Sequence, residues 1–151
     1  MKTGRVARIF IGPQESGPIQ EVQEVEAIAG KGLRGDRYFD DGDEAHDPTL
    51  EVTLFSAEGL EEGRAESGLD IVAKEMRRNL MTRGVTLSDL LGRRFSAGEV
   101  VFEGLERNPP CAHLQRLAGK PLLKPMIENG GIRARIVKGG TIRAGDEIRS
   151  L

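Results

Sequence analysis

The sequence is poor in the residues that usually advertise chemistry: no tryptophan, one tyrosine, two histidines and one cysteine. A single cysteine cannot close an intramolecular disulfide, so nothing here requires an oxidising compartment. Cys111 and His113 stand two apart with no second cysteine pair, and His46 is the only other imidazole. That argues against a closed structural zinc site. No Gly-x-Ser-x-Gly elbow is present, which weakens a serine hydrolase reading. Long hydrophobic runs are missing as well. The opening "MKTGRVARIFIGPQ" carries Lys2, Arg5 and Arg8 but no apolar stretch suited to a signal peptide, and no later segment is long enough to span a bilayer. A cytoplasmic location is the expectation. The formal net charge is only −2, so no long-range field draws the chain toward nucleic acid or a membrane surface, and neither is expected as a partner.

What the chain has instead is glycine, 20 in 151 residues, which predicts frequent turns and short elements. The length suits one domain, 1–151, with a core of its own and no evident linker. "GRVARIFIG" alternates in part, with Val6, Arg8 and Phe10 on one side and Ala7, Ile9 and Ile11 on the other, and reads as a strand ending at Gly12-Pro13. A second strand is expected near Val25 to Ala29, then a glycine-spaced loop and an irregular acidic stretch from Asp40 to Asp47. "LEVTLFS" reads as a strand, with Ser56 capping a short helix, "AEGLEEGRAES", that closes at Gly68. "KEMRRNLMTRG" has helical propensity in its first half, while "RNLMTRGV" alternates like a strand leading into a glycine turn, and the strand reading is favoured. "TLSDLLG" predicts one or two helical turns with Thr86 as cap and Asp89 as its capping-box partner. "RRFSAGEVVFEGLE" reads as a hairpin or bent strand broken at Ala97-Gly98, and the end as two strands joined at Gly139-Gly140. Some seven short strands with a few inserted helices predict a mainly β domain, a barrel rather than a βαβ layering.

Four segments have residues suited to binding or catalysis. In "ERNPPCAHLQRLAGK", Pro109 and Pro110 precede a helical spacing of Ala112, Leu114, Leu117 and Ala118, which places Cys111 at the helix start. There free amides and the helix dipole stabilise a thiolate, with Arg107, His113 or Arg116 adding to the effect; a small residue packed into the core is the other reading. "GKGLRGDRY" joins three glycines to Lys31, Arg34 and Arg37 in a loop suited to an anion, although it matches neither the Walker nor the Rossmann spacing. A glycine-rich turn braced by Asp36 is the alternative there. "RRNLMTRG" gathers Arg77, Arg78, Asn79 and Arg83 without an acid, a set fit for a phosphate or flat heterocycle, or else a solvated edge strand. In "NGGIRARIVKGG", Arg133 and Arg135 fall on one face.

Taken in order, "EVEAIAGKGLRGDRYFDDG", "EMRRNLMTRGVTLSDLLGRRFSAGEVVFEG", "ERNPPCAHLQRLAGK" and "GGIRARIVKGGTIRAGDEI" resemble the MOSC family, the domain found at the C-terminus of molybdenum cofactor sulfurases, and specifically its small stand-alone members. The resemblance implies a MOSC-type β-barrel with a few short inserted helices. It implies the molybdenum cofactor, Mo-molybdopterin, with Cys111 as molybdenum ligand and catalytic residue, or as carrier of a persulfide sulfur. Arg78, Asn79 and Arg83 lie where the family's Arg-Asn motif falls and would hold the cofactor's phosphate or pterin edges. Arg37 matches the Gly-Asp-Arg loop as an anion contact, with Asp36 organising that loop, and Arg133 corresponds to the late glycine-arginine segment. The activity implied is reduction of small N-hydroxylated substrates with electrons from a separate protein, because no internal electron source is encoded. The alternative is a carrier of cofactor or sulfur without turnover, served by a sulfur donor.

Overall fold

In the computed structural model the described residues are 4–15, 17–40, 42, 47–68, 70, 72–108 and 131–151. Strand β1 (Gly4–Ile11) is followed by β2 (Gln20–Val22), β3 (Glu24–Ile28), β4 (Gly32–Leu33) and β5 (Val52–Ser56). Helix α1 (Ala57–Ser67) leads through a short 3₁₀ turn at Ala73–Met76 to β6 (Leu80–Arg83). Then come β7 (Arg94–Ala97), β8 (Val100–Arg107), β9 (Ile132–Lys138), β10 (Gly140–Arg143) and β11 (Glu147–Ser150).

Seven strands run in the order β11-β7-β8-β9-β5-β6-β1, and β11 pairs back onto β1, so the sheet closes into a barrel. Closure removes the edges a flat sheet would leave exposed. β2 hangs on the free side of β1, and β10, β3 and β4 form a separate three-stranded sheet. All named strand pairs are antiparallel except β5 with β6. That exception follows from connectivity, because α1 carries the chain back between those two strands and a parallel pair needs such a crossover. Ser56 caps α1 by accepting from the Gly59 amide at 3.0 Å, and Gly68, at φ +71°, ends it.

The barrel interior is filled by one apolar cluster that includes Val6, Ile9, Leu54, Leu80, Ile132 and the stacked pair Phe95 and Phe102, whose ring centroids are 5.2 Å apart. In β9, Ile132, Ala134 and Ile136 point inward while Arg133 and Arg135 lie outside, as a period of two requires. A second cluster, built on Phe10, Phe55, Met76 and Met81, packs outside the barrel under α1 and the Ala73–Met76 turn. No helix among the described residues is long and apolar enough to cross a membrane.

Several expectations change. The register of β1 against β6 shifts between Val6 and Arg8, a bulge that moves Ile9 to the inner face with Val6 and sends Phe10 to the outer cluster. The partial alternation read in the sequence is that bulge. The strand expected across the arginine-rich segment begins only at Leu80, after the 3₁₀ turn. Leu87–Leu90 is a 3₁₀ turn whose Thr86 side chain makes no capping bond. The C-terminal stretch holds three strands rather than two, because β10 pairs with β3 instead of folding back on β9. The helix expected after Pro110 lies outside the described residues.

Candidate functional site

The site begins where β1 ends. Gly12 donates its amide to Asp36 Oδ1 at 2.8 Å, and its carbonyl accepts the Arg37 amide at 2.9 Å. The Gly-Asp-Arg loop is therefore stitched onto the end of β1. Asp36 is buried, and its other carboxylate oxygen accepts from the Tyr38 amide at 3.5 Å. Gly35 makes the turn into this arrangement at φ +92°, a conformation that a Cβ disfavours.

Asn79 fastens the same corner from the other side. Its side-chain amide donates to the Phe10 carbonyl at 3.2 Å and to Asp36 Oδ1 at 3.5 Å. Its side-chain oxygen accepts from both the amide and the hydroxyl of Thr53. Every donor and acceptor of that amide is thereby engaged with the chain itself. Asn79 ties β1, β5 and the Gly-Asp-Arg loop together.

Two guanidiniums rest on this frame. Arg37 Nη1 donates to the Gly12 carbonyl at 3.4 Å and lies 3.7 Å from Asp36 Oδ1, while its Cζ sits 4.5 Å from the Tyr38 ring centroid. A Cβ at Gly12 would overlap Arg37 Nη1, so only glycine leaves room for the guanidinium against the backbone. Arg77 Nη1 donates to the Gly17 carbonyl at 2.8 Å. Its Nη2 is buried and has no hydrogen-bond partner among the described residues. Arg77 also holds φ +54°, the one positive value at a non-glycine position among the described residues. A left-handed conformation costs a side-chain-bearing residue about 1–2 kcal/mol. Burial holds the Arg77 guanidinium below the usual arginine range, and the neighbouring charge of Arg37 lowers it further, with Tyr38 and Asp36 opposing.

Among the described residues two partly buried guanidiniums face one buried carboxylate, and a buried N–H without an acceptor costs about 1–3 kcal/mol. An oxyanion placed against Arg77 Nη2 supplies that acceptor.

The residues singled out in the sequence separate in space. Arg37 belongs to the corner. Arg78 is buried between Arg77 and Asn79 in the chain, and Asn79 forms the corner's frame. Arg133 faces Thr53 across β9 and β5, so it shares a transverse row with the Thr53–Asn79 contact; its Nη1 reaches the Thr49 carbonyl at 3.3 Å and its Nε lies 3.6 Å from Glu106. Arg83 stands at the far end of β6, opposite Arg5 at the start of β1, and is ion-paired with Glu61 of α1. The corner is at the other end of β1, a strand that spans about 25 Å at 3.3 Å per residue. Cys111 lies outside the described residues. Among the described residues no group of histidine, cysteine, aspartate and glutamate is arranged to hold a metal ion. Asn108, the last described residue ahead of that cysteine, is buried with both side-chain polar atoms unpartnered among the described residues. The arginine-asparagine segment marked both Arg77 and Arg78, the family resemblance only Arg78, and two adjacent arginines give no local sign of which one adopts the left-handed conformation.

A closed barrel of seven strands, with Arg37 and Arg77 anchored near the end of β1, defines a small β-barrel domain. The chain belongs to the MOSC domain family, whose sequence pattern matches residues 41–149, and this family is associated with binding of the molybdenum cofactor. No functionally curated protein matches the sequence. Among solved structures the fold resembles the YuaD protein from Bacillus subtilis, with a TM-score of 0.83 at 18% identity over 99% of this chain and 98% of that one. It also resembles YiiM from Geobacillus stearothermophilus, with a TM-score of 0.75 at 16% identity over 98% and 75% of the two chains. YiiM from Escherichia coli gives 0.74 at 19% identity over 100% and 70%. At these identities the likeness establishes the fold alone.

Proposed function

We propose that this protein binds the molybdenum cofactor through its Arg37 and Arg77 guanidiniums and serves as an oxidoreductase module for small N-hydroxylated compounds. The observation that carries the binding reading is the buried, unpartnered Nη2 of Arg77 beside a second guanidinium, a donor set that fits the phosphate of a pterin cofactor. Membership of the MOSC family, which is associated with binding of the molybdenum cofactor, supports this choice of ligand.

In this reading Arg77 and Arg37 hold the anionic end of the cofactor. Asp36 keeps Arg37 in place, and Asn79 and Gly12 keep Asp36 in place, so the donors are set before the ligand arrives and little ordering remains to be done on binding. Arg78, buried beside Arg77 in the chain, and Arg133, opposite Thr53, are proposed as further cationic contacts. Arg83 is engaged with Glu61 at the opposite end of β6. Cys111 is proposed as the molybdenum ligand, a soft thiolate sulfur suited to that metal. When bound, the cofactor supplies two-electron oxygen-atom transfer. Removing oxygen from an N-hydroxylated compound takes up two electrons and two protons and releases water, so a separate electron-donor protein is required.

Elemental analysis of the protein made in a host that synthesises the cofactor tests the reading. Stoichiometric molybdenum that falls away in Cys111→Ser supports it, and the absence of molybdenum from the native protein overturns it. If the metal is retained but an artificial reductant drives no amidoxime reduction, the role is cofactor or sulfur carriage instead of turnover.

A further inference from the structure

We propose that Tyr38 is a stacking platform for a planar heteroaromatic ring, so that the corner selects a ring-bearing phosphate monoester over free phosphate. The inference deepens the cofactor reading above and rests on its anion site.

Tyr38 packs on a guanidinium that is itself fixed to the backbone. Arg37 Nη1 donates to the Gly12 carbonyl where a Cβ would crowd it, and the Arg37 Cζ lies over the Tyr38 ring at 4.5 Å from its centroid. The Arg37 side chain is left 14% exposed by these two neighbours, whereas Tyr38 itself is 44% exposed. The ring is thus packed against a fixed cation while nearly half of the residue's surface stays exposed. The backbone amide of Tyr38 points at Asp36 Oδ2, so the residue is also tied at its base. An aromatic side chain with two χ angles, already immobilised by a cation on one face, loses little freedom when a ligand ring settles on the other.

Arg77 lies within electrostatic reach of both Tyr38 and Arg37 and brings a buried donor that needs an acceptor. A phosphate ion satisfies that donor but leaves the tyrosine surface wet. A phosphate ester of a pterin or purine satisfies the donor and covers the ring. Both ligand types share the chemistry inferred here: a flat, nitrogen-rich ring joined to a phosphate.

The test uses protein purified from a host that cannot make the cofactor, titrated calorimetrically with guanosine monophosphate and with ribose 5-phosphate, which differ only in the ring. The native protein is expected to bind the nucleotide about tenfold more tightly, the usual contribution of base–aromatic stacking. Tyr38→Leu, which keeps an apolar cover over Arg37 without a π face, should bring the nucleotide down to the ribose 5-phosphate level. Tyr38→Phe should restore the difference. Because the chain has one tyrosine and no tryptophan, its emission reports this ring directly and should change with the nucleotide but not with the sugar phosphate. Equal affinity of the native protein for the two ligands overturns the stacking role and leaves the anion site standing. A Tyr38→Leu variant that weakens both ligands equally also overturns it, by showing that the ring only supports Arg37. If the native protein binds neither ligand, the anion site fails and this inference fails with it.

Discussion

The side-chain oxygen of Asn79 accepts both the backbone amide of Thr53, at 3.0 Å, and its hydroxyl, at 3.1 Å. Thr53 in turn sits opposite Arg133 in β9, so one asparagine joins the parallel β5–β6 pair, the end of β1 and the loop that carries Arg37. The position of the Arg37 loop is consequently set by how β5 and the segment before β6 meet the end of β1.

Replacing Asn79 by alanine is expected to destabilise the protein by about 2–4 kcal/mol, because buried partners on Phe10, Asp36 and Thr53 lose their hydrogen bonds together. Asn79→Asp should cost at least as much, since it sets a second carboxylate near Asp36 in place of a donor. Urea unfolding measures this; native-like stability in both variants would show that the network is not what holds the corner.

Arg77→Gly separates stability from binding. Glycine adopts φ +54° without steric penalty, which recovers about 1–2 kcal/mol, less up to about 1 kcal/mol of added freedom in the unfolded chain. The variant should therefore be as stable as the native protein or slightly more so, while affinity for ribose 5-phosphate drops at least tenfold. Loss of stability together with retained affinity would contradict the assignment.

Gly12→Ala directs a methyl group at Arg37 Nη1 and at Ile19 Cδ1, both ends of flexible side chains. Stability should fall by no more than about 1 kcal/mol, because these atoms can yield. Arg37 is displaced in the process, so phosphate-ester binding should weaken severalfold, as read by calorimetry.

Gly131→Ala meets backbone instead. Its Cβ would collide with the Leu54 carbonyl oxygen and lie 3.0 Å from Phe55 Cα, at φ +90°. Neither neighbour can move without disturbing β5, so a loss of about 3 kcal/mol or more is expected in urea unfolding.

Acid should destabilise the fold through three carboxylates. Hydrogen bonds from Arg8, Arg83 and Arg135 hold Glu21, Glu61 and Glu103 below the usual carboxylate range. A carboxylate lowered in the folded state contributes stability above its unfolded value, about 4.3, and loses it as pH falls through the folded value. The melting temperature should be level from neutral pH to about pH 5 and decline below about pH 4.3. These pairs are partly exposed, so each effect is small and should shrink further in high salt. Glu103→Gln should flatten the decline.

Much of the fold was legible. The alternation of Ile132, Ala134 and Ile136 against Arg133 and Arg135, Ser56 at the head of α1 and Gly68 at its foot each reflect a local rule with a local cause. The β1 bulge was not legible, because an extra residue in one strand is fixed by its partner in β6. Nor was the pairing of β10 with β3, two segments more than a hundred residues apart in the chain.

The same division runs through the site. Residue types and their order were enough to mark a glycine-spaced arginine loop, an arginine-asparagine segment and a solitary cysteine, since those are facts of composition and spacing. Which guanidiniums share one corner was decided only in three dimensions. Arg37 and Arg77 come within electrostatic reach of one another because Asn79 and Gly12 lock the end of β1 to two distant segments, and Arg83 is carried away because it lies at the other end of its strand. Sequence sets what a side chain can do, and strand register sets which side chains do it together.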